Sequence, residues 1–274
     1  MSLDNKTITF IGGGNMATAL IGGLIASGIA PKHIRAGEPD ADRCARLKND
    51  YGIQADTDNA RAIDGADVVV FAVKPQMLPA VAQASAAAIA AAQPLVMSVA
   101  AGVTIEALAA WLGSDVAIVR AMPNTPALVG CGAAGLYANA AVTAEQRETA
   151  AAIMGAAGEA LWIEDESLMD AVTAVSGSGP AYFFLIIELM EQAGAELGLE
   201  PADARRLVVQ TALGAATMAK NADTDAAELR RRVTSPGGTT AAALGVLEEG
   251  GIRELIGRAL TAARDRGREL SGSN

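Results

Sequence analysis

The sequence predicts an α/β protein in two parts: a doubly wound domain with a mostly parallel sheet, then an all-α domain. Three observations predict it. Strand-like and helix-like stretches alternate through the first half, a glycine-rich turn follows the first strand, and strand-like runs disappear after Trp162. Alternation of this kind builds βαβ units, and unbroken apolar strands suit a sheet covered on both faces.

Thr7–Ile11 is a short β-rich run, followed by glycines and a helical stretch ending near Gly28. A second strand is expected at His33–Ala36 and a helix around Arg43–Asn49. The apolar run Val68–Val73 is read as a strand, Ala80–Ala92 as a helix and Leu95–Val99 as a strand. A helix over Ile105–Leu112 and a strand over Val116–Arg120 complete the alternation. Helical patterns then cover Glu166–Val175, Ala181–Leu197, Ala202–Ala219, Ala226–Val233, Thr239–Glu248 and Ile252–Leu270. Gly177-Ser178-Gly179-Pro180 and Ser235-Pro236-Gly237-Gly238 are read as breaks between helices. These readings place the domains at residues 1–163 and 164–274.

Within the second domain, Phe183–Ile187 is apolar on every face of a helix. A helical domain of this size covers such a helix poorly alone, so burial against a second copy is expected.

Composition narrows the function. The net charge of −10 and the lack of a basic run argue against a nucleic-acid groove. Arg230, Arg231 and Arg232 form the longest basic cluster and read as a solvated or salt-bridged helix face. Two distant cysteines, Cys44 and Cys131, and a single histidine, His33, offer no metal site and fit a reducing cytoplasm. No leader and no uninterrupted apolar run long enough for a bilayer is seen, so a soluble cytoplasmic protein without membrane contact is expected.

The chemistry starts at Gly12-Gly13-Gly14-Asn15-Met16-Ala17, a G-x-G-x-x-A pattern between a strand and a helix. Gly12 permits the tight turn and Gly14 the approach of a pyrophosphate, while Ala17 lets the helix pack on the strand. In this context the pattern marks a dinucleotide-binding Rossmann domain. Glu38 follows the next strand, where an acidic residue can accept a bond from a ribose 2′-hydroxyl and repel a 2′-phosphate; it can equally be a solvent-facing loop residue. Arg35 and Arg43 lie close enough to offset it, so NADH and NADPH both stay open. Lys74 follows a buried strand at the edge where such sheets bind ligands, and Asn59 and Ala100 also lie at strand-to-helix turns.

Six stretches together resemble the pyrroline-5-carboxylate reductase family: Phe10–Ala17, Ala72–Gln76, Ser98–Gly102, Met122–Pro126, Ala174–Tyr182 and Val233–Thr240. The resemblance implies a Rossmann domain, then a helical domain that dimerises, with decamers as further assembly. It implies reduction of a cyclic imino acid, L-1-pyrroline-5-carboxylate, to L-proline by NADPH or NADH. By position, Asn15, Met16, Asn59, Ala72, Lys74 and Ala100 would line the dinucleotide, and Met122, Pro123 and Asn124 would lie near the nicotinamide. Ser235, Gly237, Gly238, Thr239 and Thr240 would hold the substrate, from across the dimer interface. Two departures are noted: Glu38 where a small polar residue is common, and Cys131 where Glu or Gln is expected.

The residues themselves add a mechanism. Pro236 suits a first helical position, which would leave the amides of Gly237 and Gly238 free to surround a carboxylate; an ordinary capped turn is the competing reading. A protonated C=N bond is electron-poor at carbon and needs positioning more than a strong acid, which fits a chain without an evident acid–base pair. A β-hydroxyacid dehydrogenase would need a lysine base after Gly177-Ser178-Gly179-Pro180, where Ala181-Tyr182-Phe183-Phe184 follows instead. A non-catalytic dinucleotide-binding regulator would have no use for the second glycine-rich loop.

Overall fold

The computed structural model describes residue 3 and residues 5–271. Eight strands form one sheet: β1 Ile8–Ile11, β2 Ile34–Gly37, β3 Gln54–Asp56, β4 Val68–Phe71, β5 Leu95–Ser98, β6 Ile118–Met122, β7 Gly132–Ala138 and β8 Gly158–Trp162. Their order is β3-β2-β1-β4-β5-β6-β7-β8, parallel throughout except where β7 runs against β6. The helices between them are α1 Asn15–Ala26, α2 Ala41–Tyr51, α3 Asn59–Ile63, α4 Leu78–Ala92, α5 Ile105–Leu112 and α6 Ala144–Gly155. After the sheet come α7 Met169–Val172, α8 Gly179–Glu196, α9 Pro201–Asn221, α10 Ala226–Arg232, α11 Thr239–Glu249 and α12 Ile252–Ser271.

The period-2 geometry of strands divides the core between the two faces of the sheet. Ile8 and Phe10 of β1, with Val68 and Val70 of β4, pack with Leu20, Leu24 and Leu47 of α1 and α2. Ile11, Val69 and Phe71 point the other way, onto Ile63, Leu78, Ile89 and Leu108. Capping fixes the helix starts: Asp40 accepts from the amides of Asp42 and Arg43, Thr104 caps α5, and Thr143 with Gln146 forms a capping box on α6. The Arg43 amide, foremost, holds the Asp40 carboxyl below the usual carboxylate range.

Several boundaries differ from the sequence reading. His33 closes a 3₁₀ turn, Pro31–His33, and the strand begins one residue later, because Pro31 fixes a turn conformation. The β4 strand stops at Phe71, so Ala72 and Val73 leave the ladder. The β6 strand is displaced to Ile118–Met122; the Asn139 side chain takes the Ile118 amide and the Val116 carbonyl. Two strands, β7 and β8, and helix α6 carry too little patterned apolar sequence to have been foreseen, and β3 and α3 were foreseen only as the strand-to-helix turn at Asn59.

Gly177-Ser178-Gly179-Pro180 does not break the chain's helical course. A π-helical turn, Thr173–Gly177, leads into α8, and Pro180 occupies its second position, where a missing N–H is tolerated. Glu166–Glu196 is therefore one continuous helical segment with an 18-residue window of mean hydropathy 1.4, long and apolar enough to cross a bilayer by length and composition.

The described residues form two compact units. One runs through Ser178 and includes the chain from Ala263 onward; the other is Gly179–Ala262. The compact division thus falls later than the change in composition near residue 164. Residues just after that change pack on the sheet: Met169 is fully buried, and Val172 fills the space a side chain at Gly135 would need. The end of α12 joins the first unit, where the Ser271 hydroxyl lies 3.3 Å from Asp170 Oδ1 and Leu270 packs at Gly102. In the second unit α8 packs on α9, with Gly194 close to Ala204. Phe183 and Phe184 of α8 stay 67% and 65% exposed.

Candidate functional site

The first site lies over the carboxyl ends of β1, β4 and β5. A positive φ of 99° at Gly12 makes the turn out of β1, and a Cβ there would stand 2.9 Å from the Ala72 carbonyl oxygen. Gly14 has no heavy atom near the position of a Cβ, so it opens onto the cleft. It is also the N-cap of α1 and supplies no side-chain bond, which leaves the first amides of that helix directed outward. A cleft of about 790 Å³ is lined by Gly14, Asn15, Met16, Lys74, Ala100 and Arg43, among others. A smaller cavity of about 290 Å³ adjoins the glycine turn on the β2 side and is lined by Gly12, Glu38, Asn59, Ala72, Lys74 and Met77.

Glu38 is buried rather than solvent-facing. One carboxylate oxygen accepts from the Gly13 amide at 2.8 Å and from Arg43 Nη1 at 3.3 Å; the other accepts from the Asp40 amide at 3.1 Å. The carboxylate thus braces the glycine turn and keeps a negative charge at the rim of the smaller cavity. Asn59 Oδ1 is buried without a hydrogen-bond partner among the described residues. It lies against Gly37, where any side chain would collide with it at 2.5 Å. Lys74 is exposed beside both cavities.

Met122 is the last residue of β6, Pro123 and Asn124 follow it, and none of the three lines either cavity. Asn124 Nδ2 donates to the Ser176 carbonyl and its Oδ1 accepts from the Ala133 amide, both at 2.9 Å. Sequence reasoning missed this pairing, though a proline four residues after Ser176 was a signal for it.

The second loop belongs to the other unit and departs from its expected geometry. Helix α11 begins at Thr239, so Pro236 precedes the helix in a turn, with Gly237 at φ 69°. The Gly238 amide is not free: it donates to the Ser235 carbonyl at 3.0 Å. Gly238 caps α11 without a side-chain bond, which leaves the amides at the helix start, Thr239, Thr240 and Ala241, without a capping acceptor. In the neighbouring α10, Arg231 and Arg232 are paired with Glu228.

The two cysteines are free thiols. Cys44 donates to the Glu38 carbonyl, and burial pushes its thiol up from the usual range; Cys131 is exposed in the turn before β7. Among the described residues no group of three His, Cys, Asp or Glu side chains could hold a metal ion.

A glycine cradle that a Cβ would fill, an uncapped helix start and a buried orphan acceptor together fit a dinucleotide, at the point where the strand order reverses between β1 and β4. The fold and this cleft define a nicotinamide-dependent oxidoreductase. Comparison with known proteins narrows the class. Residues 166–270 match the family model for pyrroline-5-carboxylate reductase dimerisation, and residues 7–102 match that for NADP oxidoreductases described as coenzyme F420-dependent. A pyrroline-5-carboxylate reductase of Pseudomonas aeruginosa is 52% identical, over 98% of each chain. The structure of a pyrroline-5-carboxylate reductase from Coxiella burnetii superimposes with a TM-score of 0.94 at 45% identity, covering 97% of this chain and 98% of that one. A pyrroline carboxylate reductase from Plasmodium falciparum, solved with NADP bound, gives 0.86 at 30% identity over 98% and 100% of the two chains. This chain belongs to the pyrroline-5-carboxylate reductase family, with an N-terminal NADP-binding-type domain and a helical dimerisation domain.

Proposed function

We propose that this chain reduces L-1-pyrroline-5-carboxylate to L-proline, the last step of proline synthesis, with NADPH or NADH as reductant. The observation that carries the reading is a pair of helix starts without side-chain caps: α1 behind Gly12–Gly14, and α11 behind Ser235–Gly238. Each offers amides to an anion, the first to a pyrophosphate and the second to a substrate carboxylate.

The coenzyme, when bound, supplies hydride to the imine carbon. Asn15 and Met16 at the start of α1 meet the pyrophosphate, Lys74 adds a positive charge, and Asn59 and Glu38 face the ribose hydroxyls. Ala72 and Ala100, having minimal side chains, let the dinucleotide lie close to the strand ends, and Met122, Pro123 and Asn124 border its nicotinamide end. Ser235, Gly237 and Gly238 shape the substrate turn, while Thr239 and Thr240 present amides and hydroxyls to the imino acid. The ring nitrogen is protonated before hydride arrives, so the carbon is already electrophilic. The hydroxyl of Thr240 then orients the ring, and no protein acid of tuned pKa is required.

Residues 1–163 act as the coenzyme domain and 164–274 as the substrate and dimerisation domain. The exposed Phe183, Phe184 and Leu185 of α8 support assembly as a homodimer, with decamers as a further level, in the cytoplasm. The test is direct: oxidation of NADPH and NADH is followed with L-1-pyrroline-5-carboxylate, and proline is identified as product. Turnover with either coenzyme is expected; a protein that binds both yet forms no proline would overturn the reading.

A further inference from the structure

We propose that Asn124 is a positioning residue for hydride transfer, acting by holding the π-helical turn Thr173–Gly177 against the end of β6. The inference rests on the reductase reading above and deepens it.

In a helix the N–H of residue i bonds the carbonyl of residue i−4, so the partner assigned to Ser176 would be the N–H of residue 180. Proline has none, and the Ser176 carbonyl loses its main-chain donor. Asn124 Nδ2 supplies the missing donor at 2.9 Å. Its Oδ1 meanwhile accepts from the Ala133 amide at the start of β7. The residue is 9% exposed, and each end of its amide is in use. Asn124 therefore reaches the reaction through what it holds, not through a contact of its own side chain.

What it holds is close to the chemistry. The turn is π-helical, with the Ser178 amide bonded back to Thr173 at 2.8 Å, a geometry that recurs at functional sites. Gly177 in that turn lies against Met122, the last residue of β6: a Cβ on Gly177 would stand 2.5 Å from Met122 Cε. The sheet runs β1-β4-β5-β6 away from the β2 side, where the ribose-facing Glu38 lies. A dinucleotide spanning the switch point places its nicotinamide half towards β6. Loss of the Asn124–Ser176 bond lets the turn and Met122 shift together at that end, while the pyrophosphate cradle on α1 is untouched.

The test uses the full-length protein with two variants. Asn124→Asp keeps the size and the acceptor for Ala133 but turns a second acceptor toward the Ser176 carbonyl. Expected is a fall in kcat on the order of tenfold to a hundredfold, the scale of a small misplacement of reacting atoms. Any rise in coenzyme KM should be smaller than the fall in kcat, and peptides covering 173–181 should exchange amide hydrogen faster in the coenzyme-free protein. Adding Pro180→Ala to that variant returns an N–H for Ser176 and should recover much of both kcat and protection. A wild-type kcat in Asn124→Asp overturns the proposal. So does a reduced kcat with unchanged exchange over 173–181, which would make Asn124 a direct contact, and so does failure of the second substitution to restore either quantity. If the wild-type protein makes no proline, the reductase reading fails by itself, and the exchange data still report whether the bond holds the turn.

Discussion

The two compact units solve the burial problem in opposite ways. In the first, β1, β4 and β5 are buried at every position, and helices cover both faces of the sheet. In the second, Gly179, Ala204 and Val208 are the buried residues of its helices, while Phe183, Phe184, Leu189, Leu213 and Val246 stay exposed. Burying a side chain of that size contributes about 1.5–3 kcal/mol, a contribution the first unit gains along these strands and the second leaves unrealised at these positions. The contrast extends to the two uncapped helix starts: the glycine cradle is built on a buried sheet edge, and the Ser235–Gly238 loop on helices whose apolar side chains stay exposed.

The sharpest way to break the contrast is Phe184→Asp. A carboxylate on the exposed apolar face of α8 should prevent association and abolish activity, while the first unit keeps its fold and binds coenzyme. Sedimentation with coenzyme titration checks this, and an active monomer at dilute concentration would remove the need for a partner. A smaller effect is expected from Thr240→Val, which removes one hydroxyl from the second unit and leaves the first alone. The loss should be about ten- to a hundredfold in kcat/KM, the value of a hydrogen bond of about 1–3 kcal/mol, with coenzyme affinity unchanged. Steady-state kinetics beside direct coenzyme titration separates the two; wild-type efficiency would take Thr240 out of the site. The smallest effect belongs to Glu38→Ser in the first unit. Removing this buried carboxylate from the rim of the smaller cavity should move the NADPH-to-NADH efficiency ratio upward by roughly five- to tenfold. An unchanged ratio would leave the Glu38 carboxylate with only its structural bonds to Gly13, Asp40 and Arg43.

Legibility in the sequence followed the same division. Strands buried on both faces, such as Val68–Phe71, announce themselves as apolar runs, and the helix Ile105–Leu112 was read to its ends. The β7 strand, Gly132–Ala138, was not legible because glycine and alanine carry no strand preference; pairing with β6 and β8 makes it a strand. The glycine turn was legible because backbone conformation demands glycine at Gly12. Glu38 was ambiguous because its outcome depends on the Gly13 amide, a tertiary contact. The Ser235–Thr240 loop was recognised, yet its free amides were assigned to the glycines, since the Gly238–Ser235 bond that shifts the helix start leaves no mark in the sequence.

The return of α12 to the first unit sets an order on biosynthesis. Leu270 packs at Gly102, beside Ala100 and Ala101 of the cleft, and Ser271 reaches Asp170. A nascent chain that has already made the sheet still lacks this cover, and must first extrude all of Gly179–Ala262. Domains generally fold as they emerge from the ribosome, the N-terminal one first. Here the sheet can form first, but its contacts at Gly102 and Asp170 are completed only when residues 263–271 emerge.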